Sequence, residues 1–188
     1  MKKILVIVLF LSICQFLPAG GERFFASAGF AALFPGDSHF SDIYGRVQFS
    51  PEIRAGYNLY KNFYFWLGYS FFSANGTVPI LEDKSKASQN FLTLGAGWET
   101  RRGRRLQADL FAALLLAGFR EKAMGETASK SGLGFEAGTG LRYFLREKVF
   151  LGISVSYSGV WTTARFAEKE TDIILGGLRL SGRVGFRF

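Results

Sequence analysis

After residue 21 the chain has no long apolar run, which excludes proteins that cross a membrane with helices. No later stretch approaches the roughly 20 uncharged apolar residues of a transmembrane helix. Histidine occurs once, at His39, and cysteine once, at Cys14. Proline occurs 4 times, against 23 glycines and 16% aromatic residues. Glycine and aromatic residues at this level favour strands and turns over helices, so the sequence predicts an all-β fold.

Residues 1–21 have the composition of a cleaved signal peptide. Two lysines precede the apolar run Ile4–Leu17, and small residues follow it. The sequence therefore predicts export through the inner membrane, with residues 22–188 as the mature domain. Cleavage would remove Cys14, so no disulfide or thiol chemistry is expected in that domain. Lipidation of Cys14 is the less favoured alternative, because the residue before it is not small.

The positive charge of the chain does not indicate nucleic-acid binding. The formal net charge is +8 and the pI is about 9.8. Nucleic-acid binding proteins cluster such charge on one face. Here the basic residues are scattered, and the first segment exports the chain. We therefore expect no nucleic-acid partner.

Eight amphipathic segments follow the signal peptide, and the connections between them alternate between long and short. The predicted strands are 22–34, 46–60, 63–72, 88–100, 105–119, 132–145, 149–159 and 173–188. The predicted long connections are 35–45, 73–87, 120–131 and 160–172, and the short turns are 61–62, 101–104 and 146–148. This alternation is typical of consecutive antiparallel hairpins.

Charges and large apolar side chains occupy opposite phases of these strands. In the last strand Leu178, Leu180 and Val184 share one phase, and Arg179 and Arg183 share the other. The polar phase also carries most of the strand glycines. A charge that faces the middle of a bilayer costs about 2–4 kcal/mol, whereas glycines and paired charges fit inside a narrow lumen. The pattern predicts a transmembrane barrel, because a soluble barrel with the apolar face inward would have to bury too many large side chains.

The predicted fold is therefore an all-β, eight-stranded, antiparallel up-and-down transmembrane barrel. Its predicted lumen charge network is Glu52, Arg54, Asp109, Glu136, Arg142, Arg179 and Arg183. We interpret this set as a salt-bridged plug. The alternative is a narrow ion path gated by rearranged pairs. Eight strands leave no wide channel, so a nutrient porin is not expected.

Aromatic and basic residues near the strand ends predict contacts with the membrane interfaces. Two aromatic girdles are predicted, the first from Tyr60, Tyr64, Trp98 and Tyr143, and the second from Phe40, Tyr44, Tyr157 and Trp161. A basic group at the short-turn end comprises Lys61, Arg101, Arg102, Arg104, Arg105, Arg146 and Lys148. These are either solvated turn residues or contacts to anionic headgroups of the inner leaflet.

With these eight strands and a terminal aromatic residue, the chain resembles the OmpA/OmpX-type outer-membrane β-barrels, which include opacity-like surface proteins. The resemblance covers residues 22–188. It implies a monomer in a bacterial outer membrane, in contact with outer-membrane lipids, lipopolysaccharide and the assembly machinery. It also implies an assembly signal at Phe186 and Phe188, with Ser181 as its polar position. The family pattern has a glycine where this chain has Arg183.

The function that this resemblance implies is a structural or surface-interaction role, without enzyme activity or cofactor. His39, Asp83 and Ser85, on predicted loops, resemble lipid A acyltransferases only in residue type. Such residues are common in turns for backbone reasons, and their spacing does not show that they converge. A lipid A-modifying enzyme is therefore the less favoured alternative. One histidine with scattered carboxylates also makes no metal site.

Overall fold

The computed structural model describes residues 23–60, 62–77, 84–102, 105–123, 126–166 and 169–188, and these residues form a closed antiparallel barrel of eight strands in sequence order. The strands are β1 (Phe24–Pro35), β2 (Gln48–Tyr60), β3 (Phe63–Thr77), β4 (Lys84–Arg102), β5 (Leu106–Ala123), β6 (Glu126–Phe144), β7 (Val149–Phe166) and β8 (Lys169–Arg187). One helix, α1 (Ser38–Tyr44), lies between β1 and β2. The predicted up-and-down barrel is confirmed. No helix in the described residues has the length and hydropathy needed to span a bilayer.

The last strand closes the barrel by pairing with the first. The β1–β8 register runs from Phe25 opposite Arg187 to Pro35 opposite Gly177. The amide of Phe24 donates to the carbonyl oxygen of Phe188 at 2.9 Å, and the amide of Phe188 donates back to Phe24 at 2.9 Å. Pairing therefore reaches the final residue. Closure leaves neither strand edge with unpaired backbone groups, which a hydrocarbon environment would penalise by several kcal/mol each.

The wall of the barrel has the polarity that the charge phase predicts. Leu110 faces outward with 60% of its surface exposed, while the adjacent Asp109 faces inward with 4% exposed. The same alternation continues around the barrel. The outward residues form an apolar belt that includes Phe65, Leu67, Leu94, Leu114, Phe135, Ile153, Leu180 and Val184. Side chains of this kind in such numbers suit a hydrocarbon environment rather than water.

The prediction of a long loop is wrong for 73–87, 120–131 and 160–172, because strands continue through most of these stretches. On β3 the outward face is apolar as far as Phe71, and then Phe72 and Ala74 turn inward while Ser73 is exposed. The apolar phase thus changes sides partway along the strand. The stretches 73–77, 84–87, 120–123, 126–131, 160–166 and 169–172 are all strand. Polar residues on the outward face suggested loops, but they belong to ladders that extend beyond the apolar belt.

The first long connection, predicted as a loop, also contains the helix α1. The Asp37 side chain caps α1, because its Oδ1 accepts hydrogen bonds from the amides of His39 at 2.9 Å and Phe40 at 3.2 Å. The helix packs Phe40, Ile43 and Tyr44 against apolar residues in the mouth of the barrel. We call this mouth the α1 end, and the opposite mouth, where β1 begins and β8 ends, the termini end.

Replacing Leu110 by Arg tests the orientation of the wall. The substitution places a charge on the outward face in the middle of the belt, and we expect a loss of about 2–4 kcal/mol in the free energy of unfolding from lipid vesicles. Leu110→Met is the matched control and should cost less than about 1.5 kcal/mol. Urea titration of vesicle-refolded protein measures both. Equal unfolding midpoints for the two variants would show that this face does not contact lipid.

Candidate functional site

All seven predicted network residues lie inside the barrel, where they form two separate ion clusters. The middle cluster comprises Glu52, Arg54, Glu136, Arg179 and Arg183. The terminal cluster, nearer the termini end, comprises Glu99, Asp109, Arg142 and Arg187. The prediction that a charged network fills the lumen is confirmed. Glu99 and Arg187 were not assigned to it from the sequence, although both lie on the polar phase of their strands.

Glu52 is the centre of the middle cluster, because three arginines converge on its carboxylate. Its Oε2 lies 3.5 Å from Nη2 of Arg54 and 3.3 Å from Nη2 of Arg179, and its Oε1 lies 3.6 Å from Nε of Arg183. The hydroxyl of Ser181 donates to Oε2 at 3.3 Å. Taking a carboxylate and guanidinium groups out of water is tolerated only with such mutual pairing.

Glu136 is held more loosely than Glu52. Its Oε1 lies 3.6 Å from Nη2 of Arg54, and its Oε2 lies 3.8 Å from Nη1 of Arg179. Neither oxygen has a hydrogen-bond partner, although the side chain is fully buried. Three arginines and two glutamates share the middle cluster, so its described residues carry an excess of positive charge. Glu136 is the member whose pairing could change most easily.

The terminal cluster is built around Arg142. Glu99 and Asp109 lie directly opposite each other on β4 and β5, a like-charge pair that is unfavourable by itself. Arg142 of β6 bridges them, with Nη1 at 3.1 Å from Oε2 of Glu99 and Nη2 at 2.6 Å from Oδ2 of Asp109. Tyr64 donates to the same Asp109 oxygen at 3.2 Å, and Arg187 lies 3.6 Å from Glu99. Only the register of three strands shows why Glu99 belongs to this group.

Aromatic rings inside the lumen separate and cover the guanidinium groups. The guanidinium carbon of Arg54 lies 4.3 Å from the ring centroid of Trp66, and that of Arg142 lies 4.7 Å from the ring centroid of Tyr64. Arg187 lies 4.8 Å from the ring centroid of Phe144. Desolvated cation–π contacts of this kind are worth about 2 kcal/mol. The placement of Tyr64 in an outward girdle was therefore wrong, because its ring is buried in the lumen.

The other aromatic residues predicted for the girdles are also divided between the outer wall and the interior. Trp98, Tyr143, Tyr157 and Trp161 are exposed on the outer wall, as an interfacial girdle requires. Tyr44 is buried and Phe40 packs against the apolar cluster, so neither belongs to a girdle. The sequence could not separate the two cases, since an aromatic residue fits both an interface and a lumen. The side chain of Tyr60 lies outside the described part of the structure.

Five of the six inward rings described near the termini end lie directly opposite a glycine of a neighbouring strand, whereas Phe144 lies opposite Phe150. The register pairs Trp66 with Gly95, and a Cβ atom at Gly95 would lie 2.4 Å from the indole. Four further pairs repeat this arrangement: Phe25 with Gly56, Tyr64 with Gly97, Phe111 with Gly138, and Phe150 with Gly185. The inward glycines therefore accommodate particular rings. The sequence pattern predicts these glycines on the polar phase but does not indicate which rings lie opposite them.

The α1 end of the lumen is apolar and is covered by the helix. Its buried residues are Leu33, Tyr44, Phe72, Ala74, Ala87, Phe91, Leu115, Ala117, Phe119, Val160 and Leu175. Tyr44 anchors the helix through its hydroxyl, which hydrogen-bonds to Ser85 and donates to Glu121. Burial raises the pKa of the Tyr44 hydroxyl above its usual range, and the hydrogen bond to Glu121 acts in the same direction. The hydroxyl therefore stays protonated and remains a donor.

The residues considered for catalysis do not come together. The His39 side chain is 95% exposed, and its Nδ1 lies 3.8 Å from Oδ1 of Asp37. Ser85 is 3% exposed and belongs to the contact between Tyr44 and Glu121. Asp83 lies outside the described residues. Within the described ranges no group of three or more His, Cys, Asp or Glu residues is arranged to hold a metal ion.

The remaining predicted residues lie at the termini end or outside the described ranges. Phe186 is exposed on the outer wall, and Phe188 completes the backbone pairing with β1. Arg105, Arg146 and Lys148 are exposed beside the turns. Outside the described residues lie the predicted signal peptide 1–21, Lys61 and Arg104, as do the side chains of Arg101 and Arg102.

The architecture matches that of several solved barrels. Neisserial surface protein A aligns over 88% of this chain and 97% of its own, with a TM-score of 0.68 and 19% identity. OprG from Pseudomonas aeruginosa aligns over 89% and 96%, with a TM-score of 0.74 and 16% identity. The chain has the fold of the eight-stranded outer-membrane barrels. Ail of Yersinia pestis, in complex with the heparin analogue sucrose octasulfate, has the same fold over 88% and 98%, with a TM-score of 0.56 and 11% identity.

Comparison at the level of sequence adds no further relatives. No protein-family model matches the chain, and no curated protein sequence matches it. At the identities of the structural neighbours the likeness describes the fold and not the function. The wall and the lumen of this chain therefore carry the evidence for its function.

Replacing Arg142 by Gln tests the terminal cluster. The variant leaves Glu99 and Asp109 opposite each other without the cation between them, and breaking a buried pair costs about 3–5 kcal/mol. Arg183→Gln is the matched control, because Glu52 retains Arg54 and Arg179, so the loss is about 1 kcal/mol. Urea unfolding of refolded protein in vesicles measures the difference. Equal losses would contradict the division into two clusters.

Replacing Gly95 by Ala tests the fit between ring and glycine. The added methyl meets the Trp66 indole, and overpacking of this kind costs about 1–3 kcal/mol. Gly182→Ala provides the control, because no heavy atom lies within 4 Å of a Cβ at that position. Its effect should stay within about 0.5 kcal/mol. The same unfolding measurement, with tryptophan fluorescence as the probe, compares them, and a neutral Gly95→Ala would refute the close packing.

Proposed function

We propose that this chain is an integral outer-membrane barrel with a structural or surface-interaction role and a lumen that is closed to solutes. The observation that carries the proposal is the combination of an apolar outward belt with an interior filled by ion pairs and rings. The belt supports placement in a bilayer. Buried arginines, glutamates and aromatic rings occupy the space through which a solute would have to pass.

The difference between the two ends of the barrel supports an orientation with the α1 end outside the cell and the termini end in the periplasm. The described connections at the termini end are short, as in the turn between β6 and β7, where the amide of Leu145 donates to Val149 at 2.9 Å. The ladders that extend beyond the belt lie at the α1 end. Phe186 and Phe188 then lie at the periplasmic interface, where the assembly machinery would read the last strand. Outer-membrane lipids and lipopolysaccharide surround the wall of a single barrel.

A non-enzymatic role is part of the same proposal. His39 is in solvent on α1 while Ser85 is buried beneath it, so the two do not form a nucleophile–base pair. The outward surface of the extended ladders and α1 is then the part available to other molecules, in agreement with the general location of function on surface connections.

A narrow ion channel is the second candidate, and one observation favours it. Glu136 is fully buried without a hydrogen bond, and it lies between two arginines that also bind Glu52. Exchange of those pairs would alter the path through the middle of the barrel. The apolar α1 end and its helix would have to open as well, since they close the same path.

Planar bilayer recordings with purified protein test the two candidates. A closed lumen predicts no discrete current steps at any applied voltage, with folding of the inserted protein verified by its shift in gel mobility without boiling. Discrete steps in the wild type that change in size in Glu136→Gln would reject the closed lumen and support the channel.

A further inference from the structure

The outward wall carries an unbalanced cationic patch just beyond the apolar belt at the α1 end. It consists of Lys86 on β4 and of Arg120 and Lys122 on β5, all three exposed. We propose that this patch binds the phosphate groups of an anionic glycolipid in the outer leaflet. The proposal rests on the membrane placement given above and assigns a lipid site on the barrel wall.

The strand register makes the patch unfavourable without an anion. Lys86 and Lys122 lie directly opposite each other on adjacent antiparallel strands. Like charges in this arrangement destabilise a sheet. Arg120 lies two residues from Lys122 on the same face, opposite Ser88. Three positive charges are thus brought together by the ladder itself.

No acidic residue in the described part of this face neutralises the patch. The nearest outward positions on the two strands are Ser88, Asn90 and Gly118. Glu121 lies between Arg120 and Lys122 in sequence, but its carboxylate faces inward and accepts a hydrogen bond from Tyr44. Among the described residues no charged side chain of the three takes part in an ion pair or a hydrogen bond, and the Ser88 hydroxyl donates only to the backbone carbonyl of Arg120. Their charge is therefore available to an external anion.

The height of the patch on the wall favours a lipid phosphate. Leu92 and Leu116, which are exposed on the same two strands, mark the end of the apolar belt. Arg120 follows Leu116 by four positions, which is about 13 Å along the strand and about 9 Å along the membrane normal at a tilt of about 45°. Lys122 and Lys86 lie six positions beyond Leu116 and Leu92, which is about 20 Å along the strand and about 14 Å along the normal. The headgroup layer occupies roughly 5–8 Å beyond the hydrocarbon on each side. Arginine and lysine can extend their charged ends back into that layer.

The direction in which the patch faces favours lipid over a soluble polyanion. The three side chains lie on the outward face of the barrel wall, on the same face as the Leu92 and Leu116 side chains of the apolar belt. The neighbour in that direction is the surrounding leaflet. A sulfated polysaccharide, as mimicked by the ligand of the Ail structure, would meet this face only by displacing the lipid headgroups.

Titration of refolded protein in neutral detergent micelles tests the site. Diphosphorylated lipid A is the probe, and retained lipid is counted by native mass spectrometry. Each basic residue near an anionic headgroup is worth about 1 kcal/mol, so the triple variant Lys86→Gln/Arg120→Gln/Lys122→Gln should bind roughly 100-fold more weakly. Arg46→Gln removes an exposed cation elsewhere at the α1 end and should leave binding unchanged. Wild-type binding should weaken with salt and be lost with dephosphorylated lipid A.

Each opposite result rejects the proposal. Equal affinity of wild type and triple variant would show that the patch is not the site, provided that both show the mobility shift of a folded barrel. Equal binding of dephosphorylated lipid A would show that phosphate is not recognised. Displacement of the lipid by a soluble heparin fragment at lower concentration would assign the patch to sulfated polysaccharide instead. Failure of wild type to insert into vesicles would reject the membrane placement separately, because the micelle titration needs no bilayer.

Discussion

Eight strands closed on themselves leave a lumen so narrow that every inward side chain must fit the residues across from it. The rest of the interior follows from this constraint. Near the termini end most rings enter where a neighbouring strand presents a glycine, as with Trp66 and Gly95. A charge can enter only where the opposite charge arrives from another strand, as Arg142 does between Glu99 and Asp109. The interior is therefore a set of matched contacts rather than a cavity lined by charges.

The change of apolar phase along the strands is the second organising feature. On the side of the change nearer the termini end, hydrocarbon surrounds the barrel and the apolar residues face outward. On the side nearer the α1 end, water surrounds the barrel, so the apolar residues face inward and form the cluster beneath α1. On β3 the change falls between Phe71 and Phe72. The same backbone ladder thus continues through two solvents, and the strands exceed the roughly 9–11 residues needed to cross a bilayer.

These two features together place the accessible chemistry on the outside of the barrel. The lumen holds the ion clusters and the rings, and the α1 end is covered by a helix anchored through Tyr44. The outward faces of the extended ladders present polar and basic residues next to the apolar belt. A role in contact with lipids or with surface molecules is consistent with this distribution, whereas a solute path would require both the ion clusters and the helix to move.

The sequence by itself determined the strand number, the closed antiparallel order and the inward side of β2 to β8, because alternation of charge with large apolar residues has a period of two. The side of β1 that faces inward was not determined, because its residues are small and apolar on both faces. The sequence also placed Glu52, Arg54, Asp109, Glu136, Arg142, Arg179 and Arg183 in the lumen. Only the tertiary structure decided which charges pair. It showed that Glu99 and Arg187 belong to the lumen network and that Tyr64 faces the lumen. Those contacts join residues far apart in the chain, and they depend on register. The long strands were missed for a related reason. A polar outward face is typical of a loop and also of a strand that lies in water. At Ser73 the two are distinguished only by the inward burial of its neighbours Phe72 and Ala74.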